Sequence, residues 1–415
     1  MPRRRRLLTA AGVLLPLFAQ TPDAIARLEA SARQHLAIKD AAGALTDYEQ
    51  LARLVPKSAV YEDETGFLLA ALNRPKEAIP HFERATQLDP KMARAWFHLG
   101  VAQWLAGLPD ASIQSLRRAV ALAPSRADYR FRLGSAYTET RRYTEAVAEL
   151  TPAAKQLPSD AGVWEALGLA HQKQHAFKQA RDAYRKAVAL DPDNVAVRNS
   201  FGLALVNAGD PQAGIGEFRA ILAKEPDNVN VRVNLGYALI GAGEFGEATK
   251  LLSQITRDHP DSASAHYDLG VAYKETDKLP QARAELEQAV RLEPSLAEAH
   301  YLLGGTYAET GETEKAVEQL RAAVNQRPDY VEAWFLLGSV LKDRGDADGA
   351  IDALRRAVAL GYEDSGAYNT LGLLLRRKGD ADGAKRALGK AAEIRQTEER
   401  KKEKMLRDGA ARSVH

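Results

Sequence analysis

A 34-residue period runs through most of this 415-residue chain. Ten consecutive units start at residue 59 and end at residue 398, with no insertion or deletion between them. A period of this length is typical of proteins in which each unit buries its apolar face against the next one, so the chain is predicted to fold as a stack of repeats. Position 8 of the unit is glycine in all ten: Gly66, Gly100, Gly134, Gly168, Gly202, Gly236, Gly270, Gly304, Gly338 and Gly372.

Each unit carries two apolar stripes at helical spacing, with a turn signal between them. In the second unit the first stripe includes Trp96 and Leu99, and the second includes Leu116 and Val120. The turn 107–109 reads Gly-Leu-Pro, which suits a helix end followed by a helix start. A proline at position 32 in eight units then ends the second helix. The pattern predicts a helix-turn-helix in every unit.

Small residues at fixed positions indicate close helix packing. Glycine inside a helix costs about 0.5–1 kcal/mol relative to alanine, so position 8 is predicted to lie where two helices leave no room for a β-carbon. Alanine at positions 20 and 27, in eight units each, favours the same close approach on the second helix. Two residues conflict with the pattern, because Pro80 and Pro152 fall inside second helices and predict a bend or a break there.

The motif W-x-x-L-G near the start of a unit, with the alanines at 20 and 27 and the proline at 32, resembles the tetratricopeptide repeat. The resemblance covers residues 59–398, and a degenerate unit at 25–58 keeps the same phase. That unit departs from the pattern where Ala32 replaces the glycine and Leu51 replaces the second alanine. The resemblance implies an all-α, right-handed superhelical solenoid of about eleven helix pairs, with a concave groove lined by the first helix of each pair.

The two ends of the chain differ from the repeats. Residues 1–19 are predicted to be an export signal, because four arginines precede an apolar run of roughly 12 residues and a small residue for cleavage. Such a run is shorter than the about 20 residues of a membrane span. An uncleaved anchor and a misassigned start are the alternatives, and Sec and twin-arginine export are both left open. Residues 399–415 are predicted to form a charged capping helix and tail, with Ile394, Met405 and Leu406 on its buried side.

The amino-acid composition excludes or disfavours several kinds of binding and catalytic site. The chain has no cysteine, which excludes disulfides, thiolate catalysis and cysteine-based zinc sites. Its net charge of +2 gives no overall field to attract nucleic acid, so no nucleic-acid partner is expected. His171 and His175 lie one helical turn apart but lack the glutamate of H-E-x-x-H, and we interpret them as a filler and a turn residue. His266 and His300 occupy position 4, the tryptophan position, and are interpreted as spacers.

No catalytic, cofactor or metal site is therefore predicted, and a metal-dependent enzyme is a weak alternative. The resemblance implies that positions 2, 5, 9, 12 and 13 of the first helix line the groove, and these positions are richer in aromatic and aliphatic residues than a solvated face requires. The alternative is that these side chains fold against the neighbouring helix. The predicted partner-binding residues are Phe97, Val101, Trp104, Phe131, Leu169, Leu203, Val206, Tyr237, Ile240, Tyr267, Tyr301 and Phe335.

The sequence predicts an exported, periplasmic or secreted, non-enzymatic adaptor that binds peptides or protein segments, without stable membrane insertion. The alternatives are a self-associating, homo-oligomeric envelope scaffold, and an accessory subunit of a secretion or polysaccharide machinery. Two family subtypes do not fit. The lysine at 5 with asparagines at 6 and 9 that bind chaperone tails never occur together in a repeat, and position 6 carries no asparagine ladder.

Overall fold

A computed structural model describes residues 21–412 of the chain. This part consists of 22 helices and contains no β-strand, which confirms the predicted all-α fold class. None of these helices combines the length and the apolar character that a membrane crossing requires. The predicted export signal, residues 1–19, lies outside the described residues. The helices belong to two compact units, with the division between Ala208 and Gly209.

The first unit holds five helix pairs and the first helix of the next pair. Each helix packs against its neighbours along the chain, as expected for stacked hairpins. The helices are α1 (Thr21–Ala37), α2 (Ala41–Leu54), α3 (Ala59–Ala71), α4 (Pro75–Leu88), α5 (Ala93–Leu105), α6 (Pro109–Leu122), α7 (Ala127–Glu139), α8 (Tyr143–Gln156), α9 (Ala161–Lys173), α10 (Phe177–Leu190) and α11 (Val195–Asn207).

The second unit repeats the same arrangement. Its eleven helices are α12 (Pro211–Leu222), α13 (Val229–Gly241), α14 (Phe245–Asp258), α15 (Ala263–Glu275), α16 (Leu279–Leu292), α17 (Ala297–Glu309), α18 (Thr313–Gln326), α19 (Val331–Asp343), α20 (Ala347–Ala359), α21 (Ser365–Arg377) and α22 (Ala381–Arg412). Odd-numbered helices are the first helices of their repeats in both units, and even-numbered helices are the second.

First helices form the more closely spaced layer within each unit. In the first unit α3 contacts α5 and α7 contacts α9, and in the second unit α13, α15, α17 and α19 contact one another in succession. Second helices of neighbouring repeats make no comparable contact over residues 21–412. The layer of first helices therefore offers a continuous surface inside each unit, on which side chains from successive repeats lie side by side.

The glycine at position 8 lies where the sequence predicts a close helix approach. A β-carbon on Gly100 would lie 2.7 Å from Cγ of Leu116, and one on Gly304 would lie 2.7 Å from Cγ of Leu320. The side chain that fills this space belongs to position 24 of the second helix, and Leu116 and Leu320 are fully buried. The packing interpretation of the glycines is confirmed.

Position 15 is the turn between the two helices, and its backbone adopts the left-handed conformation. Glycine serves this purpose in several repeats, for example Gly107 with a φ of 79°. His175 occupies the same position with a φ of 57°. Its interpretation as a turn residue is confirmed.

In six repeats the side chain at position 4 contacts the linker that precedes the repeat. A ring or guanidinium nitrogen of this side chain lies within hydrogen-bond distance of the carbonyl oxygen of the position 32 proline six residues upstream. A proline has no N–H of its own, but its carbonyl still needs a donor when it is withdrawn from water. The pairs are Trp96 with Pro90 at 3.1 Å, Arg130 with Pro124 at 3.1 Å, Trp164 with Pro158 at 3.0 Å, His266 with Pro260 at 3.2 Å, His300 with Pro294 at 3.1 Å and Trp334 with Pro328 at 3.0 Å.

Tryptophan, arginine and histidine make the same contact at position 4 because each carries a ring or guanidinium nitrogen that reaches the proline carbonyl. The histidines also engage their second nitrogen: Nδ1 of His266 lies 2.6 Å from Glu285, and Nδ1 of His300 lies 2.8 Å from Gln319. They therefore act as hydrogen-bonded cross-links between the linker and the second helix, a more specific role than that of a spacer.

Pro80 and Pro152, which predict a bend or a break, do not break their helices. Helix α4 continues through Pro80 and helix α8 continues through Pro152. Each proline removes one backbone donor from its helix, and Pro80 lies on the exposed face, where water can satisfy the carbonyl left without a partner. Packing of both helices against their neighbours outweighs the loss of that single hydrogen bond.

The C-terminal segment continues the last repeat helix. Helix α22 runs for 32 residues from Ala381 to Arg412, so residues 399–412 extend it without a break. Ile394 is half-buried, but Met405 is 70% exposed, so its predicted place on the buried side is wrong. The helix has left the packed repeats by that point. The side chain of Leu406 and residues 413–415 lie outside the described part of the chain.

Candidate groove surface

All twelve predicted partner-binding residues lie on first helices. Seven belong to the first unit and five to the second. Leu169 and Tyr237 are exposed, at 38% and 37% of their surface, and the other ten are half-buried. We refer to these twelve residues as the groove strip. Each of its side chains combines packing against the fold with a surface that solvent or a ligand can reach.

In the first unit the strip is built around aromatic side chains that rest on the core. Phe97 on α5 stacks against Tyr129 on α7, with ring centroids 4.3 Å apart and planes 15° from parallel. Phe97, Trp104 and Phe131 all pack against the buried cluster that contains Tyr129 and Leu133. Packing fixes the ring orientations in advance, which lowers the entropic cost of binding a ligand to their open faces.

In the second unit the strip borders an open depression of about 400 Å³. Its walls come from α15, α17 and α19, and Gly305 at position 9 leaves room beside Tyr301. Tyr301 lies 5.0 Å from the ring of Tyr330, and Phe335 lies 4.6 Å from Tyr362. The apolar side chains of Leu302, Leu336 and Val340, with the ring of Tyr301 beside them, suit an aliphatic or aromatic side chain of a bound polypeptide.

Charged groups surround this depression. Nζ of Lys274 on α15 lies 2.7 Å from a carboxylate oxygen of Glu309 on α17. Asp343 at the end of α19 also contributes to the lining. The rim is polar and the floor apolar, which is the arrangement found at protein-binding surfaces.

Two tyrosines of the strip supply hydrogen-bond donors. Burial raises the pKa of the phenols of Tyr267 and Tyr301. Both groups therefore remain protonated at neutral and moderately alkaline pH. Neither hydroxyl is hydrogen-bonded to another residue of the described range, so each can donate to the backbone of a bound chain.

Position 5 does not always face the groove. Asp63, the position 5 residue of the first regular repeat, is fully buried. Its carboxylate lies 2.8 Å from Nε of Arg94 and 2.9 Å from Nδ1 of His98, both on the next first helix. This ion-paired cluster joins two repeats, so the position number alone does not assign a side chain to the ligand surface.

Sequence reasoning missed two charged residues at position 6, namely Arg132 on α7 and Asp268 on α15. Arg132 is half-buried and Asp268 is buried. Burial raises the pKa of the Asp268 carboxyl to about 7, with the phenols of Tyr237 and Tyr267 in its electrostatic range. Neither residue type is unusual in itself. The sequence does show a charged residue at a position that is leucine in two other repeats, at Leu302 and Leu336, and this contrast could have identified both residues.

The raised pKa of Asp268 predicts a pH dependence of stability. The carboxyl stays protonated up to a pH near 7 in the folded chain and ionises near pH 4 when unfolded, so stability should fall as the pH rises across this range. A pKa shift of about three units limits the resulting change in the free energy of unfolding to about 4 kcal/mol. We expect Asp268→Asn to be about 1–2 kcal/mol more stable than the wild type at pH 7.5. The gain is smaller than the limit because burial of the amide also costs free energy.

Urea unfolding at pH 4.5 and pH 7.5 measures this difference. The midpoint of the wild type should fall more steeply with pH than that of Asp268→Asn. Equal pH slopes for the two proteins would show that the carboxyl is ionised in the folded chain.

His171 and His175 lie in different surroundings. Nδ1 of His171 is buried without a hydrogen-bond partner among the described residues, and burial lowers the pKa of this imidazole. His175 lies in the turn with its ring edge-on to Phe177 at 5.6 Å. No group of three or more histidine, cysteine, aspartate or glutamate side chains with metal-binding geometry occurs among residues 21–412.

Comparison with known proteins places these observations in a family. Sequence profiles described as tetratricopeptide repeat match residues 66–127, 161–194 and 205–270, and overlapping stretches from 267 to 399. Together they span well over half of the chain. The comparison with curated proteins gives no match.

The chain is similar to several solved structures, and the first one described here supports the fold. A tetratricopeptide repeat protein from Parabacteroides merdae is 15% identical, covers 60% of this chain and 98% of its own, and has a TM-score of 0.55. Yeast Tom70 is 16% identical over 95% of this chain and 96% of its own, with a TM-score of 0.48. MamA is 26% identical over 40% of this chain and 97% of its own, with a TM-score of 0.38.

The stacked helix pairs and the surface formed by their first helices define an α-solenoid repeat protein. With the ten regular units and the matching profiles, the chain belongs to the tetratricopeptide repeat family. Such repeats are interaction scaffolds that generally bind other proteins or peptides, and no enzyme family is indicated.

Proposed function

We propose that this protein is a non-catalytic adaptor that holds segments of other polypeptides against the groove strip. The observation that supports this most directly is the set of pre-oriented aromatic side chains on first helices, exemplified by Phe97 stacked on Tyr129 in one unit and Tyr301 beside the depression in the other. Rigid aromatic anchors contribute most of the free energy at protein interfaces.

The ligand that suits this surface is an extended or helical segment with apolar side chains at intervals. The strip offers open aromatic faces for those side chains and phenol hydroxyls for backbone carbonyls. The charged rim at Lys274 and Glu309 contributes orientation more than affinity, because exposed ion pairs are worth about 0–1 kcal/mol.

Selection from a random peptide library tests this function and requires no identified partner. The full chain is immobilised and panned with phage that display random 12-residue peptides. We expect peptides with apolar residues at two or more spaced positions and micromolar affinity, whose binding is lost when groove-strip aromatics are replaced. Failure to select any peptide, or selection of peptides that are indifferent to the groove strip, would overturn the proposal.

We further propose that the adaptor works in the cell envelope or outside the cell. The basic and apolar segments of residues 1–19 support export. N-terminal sequencing of protein recovered from the producing cells should find a chain that begins at Gln20 outside the cytoplasm. A chain that keeps its first residues and stays in the cytoplasm would contradict export, while leaving the groove proposal intact.

A further inference from the structure

The second regular repeat buries polar side chains where other repeats are apolar. Thr86 on α4, Gln103 on α5 and Ser115 on α6 are no more than 8% exposed. Thr86 stands at position 28, which is valine in five other repeats, and Gln103 stands at position 11, which is leucine in five. Burial of a polar group costs free energy that an apolar side chain would not cost. Packing alone therefore does not account for this set.

These three side chains line an open cleft of about 620 Å³ between the second helices α4 and α6. Helix α5 contributes Trp96 and Leu99 to the same cleft, and no member of the groove strip lines it. Sites for small molecules typically measure about 300–1,000 Å³ and combine apolar surface with a few fixed polar groups. The cleft has the size and the mixed lining of such a site.

The buried polar groups keep hydrogen-bonding capacity for a ligand. Oγ of Ser115 donates to Oε1 of Gln103 at 2.8 Å, which holds the amide in one orientation. The amide nitrogen of Gln103 has no hydrogen-bond partner among the described residues and is not sealed from solvent. Oγ1 of Thr86 donates to the backbone carbonyl of Glu83 at 2.9 Å, so its lone pairs can still accept.

Two further amides and a tryptophan ring complete the lining. Gln87 and Gln114 are exposed at the cleft, and each carries both a donor and an acceptor. The indole nitrogen of Trp96 is bonded to the proline carbonyl six residues upstream, so the ring is held in place and offers hydrocarbon surface to the cleft. The charged residues of the lining, Glu83 and Arg118, are one of each sign.

We propose that this cleft binds a neutral saccharide. A sugar hydroxyl donates and accepts hydrogen bonds at once, which matches amide side chains that carry both functions. The C–H face of a sugar ring is apolar and packs well against an aromatic ring, which Trp96 supplies. The balance of Glu83 and Arg118 gives a charged ligand no net attraction. This binding activity goes beyond the proposed function, because it uses neither the groove strip nor a polypeptide ligand.

Saturation-transfer NMR on the full chain tests the proposal. The probes are glucose, galactose, mannose and N-acetylglucosamine, together with the disaccharides maltose, cellobiose and chitobiose. We expect saturation transfer to at least one of these neutral saccharides, with a dissociation constant in the micromolar to millimolar range. Glucuronic acid, the charged analogue of glucose, should bind no more tightly than glucose, and tighter binding would contradict a site for neutral sugars.

Two single variants remove the central contacts with residues that other repeats use at the same positions. Gln103→Leu introduces the common residue of position 11, and Trp96→His introduces a side chain that still reaches the proline carbonyl at position 4 of two repeats. Each variant should weaken saccharide binding at least about tenfold. The matched control is Trp164→His with His171→Leu, which makes the same changes at the same positions of α9 and should leave saccharide binding unchanged.

Peptide binding separates this proposal from the adaptor function. Gln103→Leu and Trp96→His should bind the selected peptides as tightly as the wild type, whereas Leu169→Glu with Tyr237→Glu should lose the peptides and keep the saccharide. Absence of saccharide binding, or binding that both cleft variants retain, would overturn the saccharide site and leave the adaptor function standing. Peptides whose binding depends on Gln103 and Trp96 would assign the cleft to polypeptides and would also overturn it. Circular dichroism verifies that each variant is folded.

Discussion

Replacing Phe97, Phe131, Tyr267 and Tyr301 together with glutamate is expected to weaken the binding of selected peptides at least about 100-fold, because interface anchors of this type contribute about 2 kcal/mol or more each. The physical reason is that each side chain presents a pre-oriented ring to the ligand, while glutamate presents a charge that must be desolvated. Titration of labelled peptides measures the affinity, and circular dichroism verifies that the helices persist.

The four residues are half-buried, so the fourfold variant could lose binding because its packing is disturbed. Two variants with fewer and more exposed changes distinguish this from a direct effect on binding. Leu169→Glu with Tyr237→Glu changes the two exposed members of the strip and should still weaken binding about tenfold or more. The matched control is Leu190→Glu with Leu292→Glu, at the ends of the second helices α10 and α16, where the side chains are 42% and 39% exposed. If the peptide affinity falls equally for both double variants, the added negative charge, and not the change in the groove strip, causes the weaker binding.

Substitution of a position 8 glycine is expected to have the largest effect on stability. Gly304→Leu would place its β-carbon 2.7 Å from Cγ of Leu320 and 3.3 Å from the carbonyl oxygen of Ala316. Leu320 and Ala316 are fully buried, so neither can move aside. We expect a loss of at least about 3 kcal/mol, because added methylene groups in a close-packed core force helices apart.

Gly216 is the matched control, because it lies inside helix α12 of the same unit and its β-carbon would meet nothing within 4 Å. Gly216→Leu should be neutral or stabilise the fold by up to about 1 kcal/mol, since leucine is the better helix former. Urea unfolding followed by circular dichroism compares the two variants. Similar midpoints would contradict the assignment of position 8 to a contact without room for a β-carbon.

The period and the small residues made the fold predictable from sequence. The glycine at position 8, the alanines at 20 and 27 and the proline at 32 report local constraints that recur from repeat to repeat, and repetition separates them from chance. The same holds for the turn, where His175 could be assigned from its position alone because glycine occupies that place in other repeats.

Features that depend on the packing of one particular repeat were not predictable. Pro80 predicted a bend or a break, but the helix continues through it because its packing against neighbouring helices outweighs one lost hydrogen bond. Position 5 was counted with the groove positions, yet Asp63 at that position is buried and paired with Arg94 on the next first helix. Asp268 became visible only through its burial, and Arg132 only through a buried Nε atom without a hydrogen-bond partner among the described residues. Position 6 varies from repeat to repeat, so the sequence did not single them out.

The role of position 4 was only partly predictable from the sequence. Tryptophan, arginine and histidine share no size or charge, so the sequence suggested a variable filler. The shared property is a side-chain N–H that reaches the carbonyl of the preceding proline, as in Trp334 and Pro328. A search for common hydrogen-bonding capacity at a variable position could have found it.

Site-specific photocrosslinking tests most directly whether polypeptides bind along the first helices. A benzophenone amino acid is placed at Leu169 or Tyr237 of the groove strip, or at Leu190 or Leu292 on second helices, and each protein is irradiated with a selected, labelled peptide. We expect crosslinks from the first two positions and none above background from the other two. Crosslinks that form mainly from Leu190 or Leu292 would contradict binding at the groove strip.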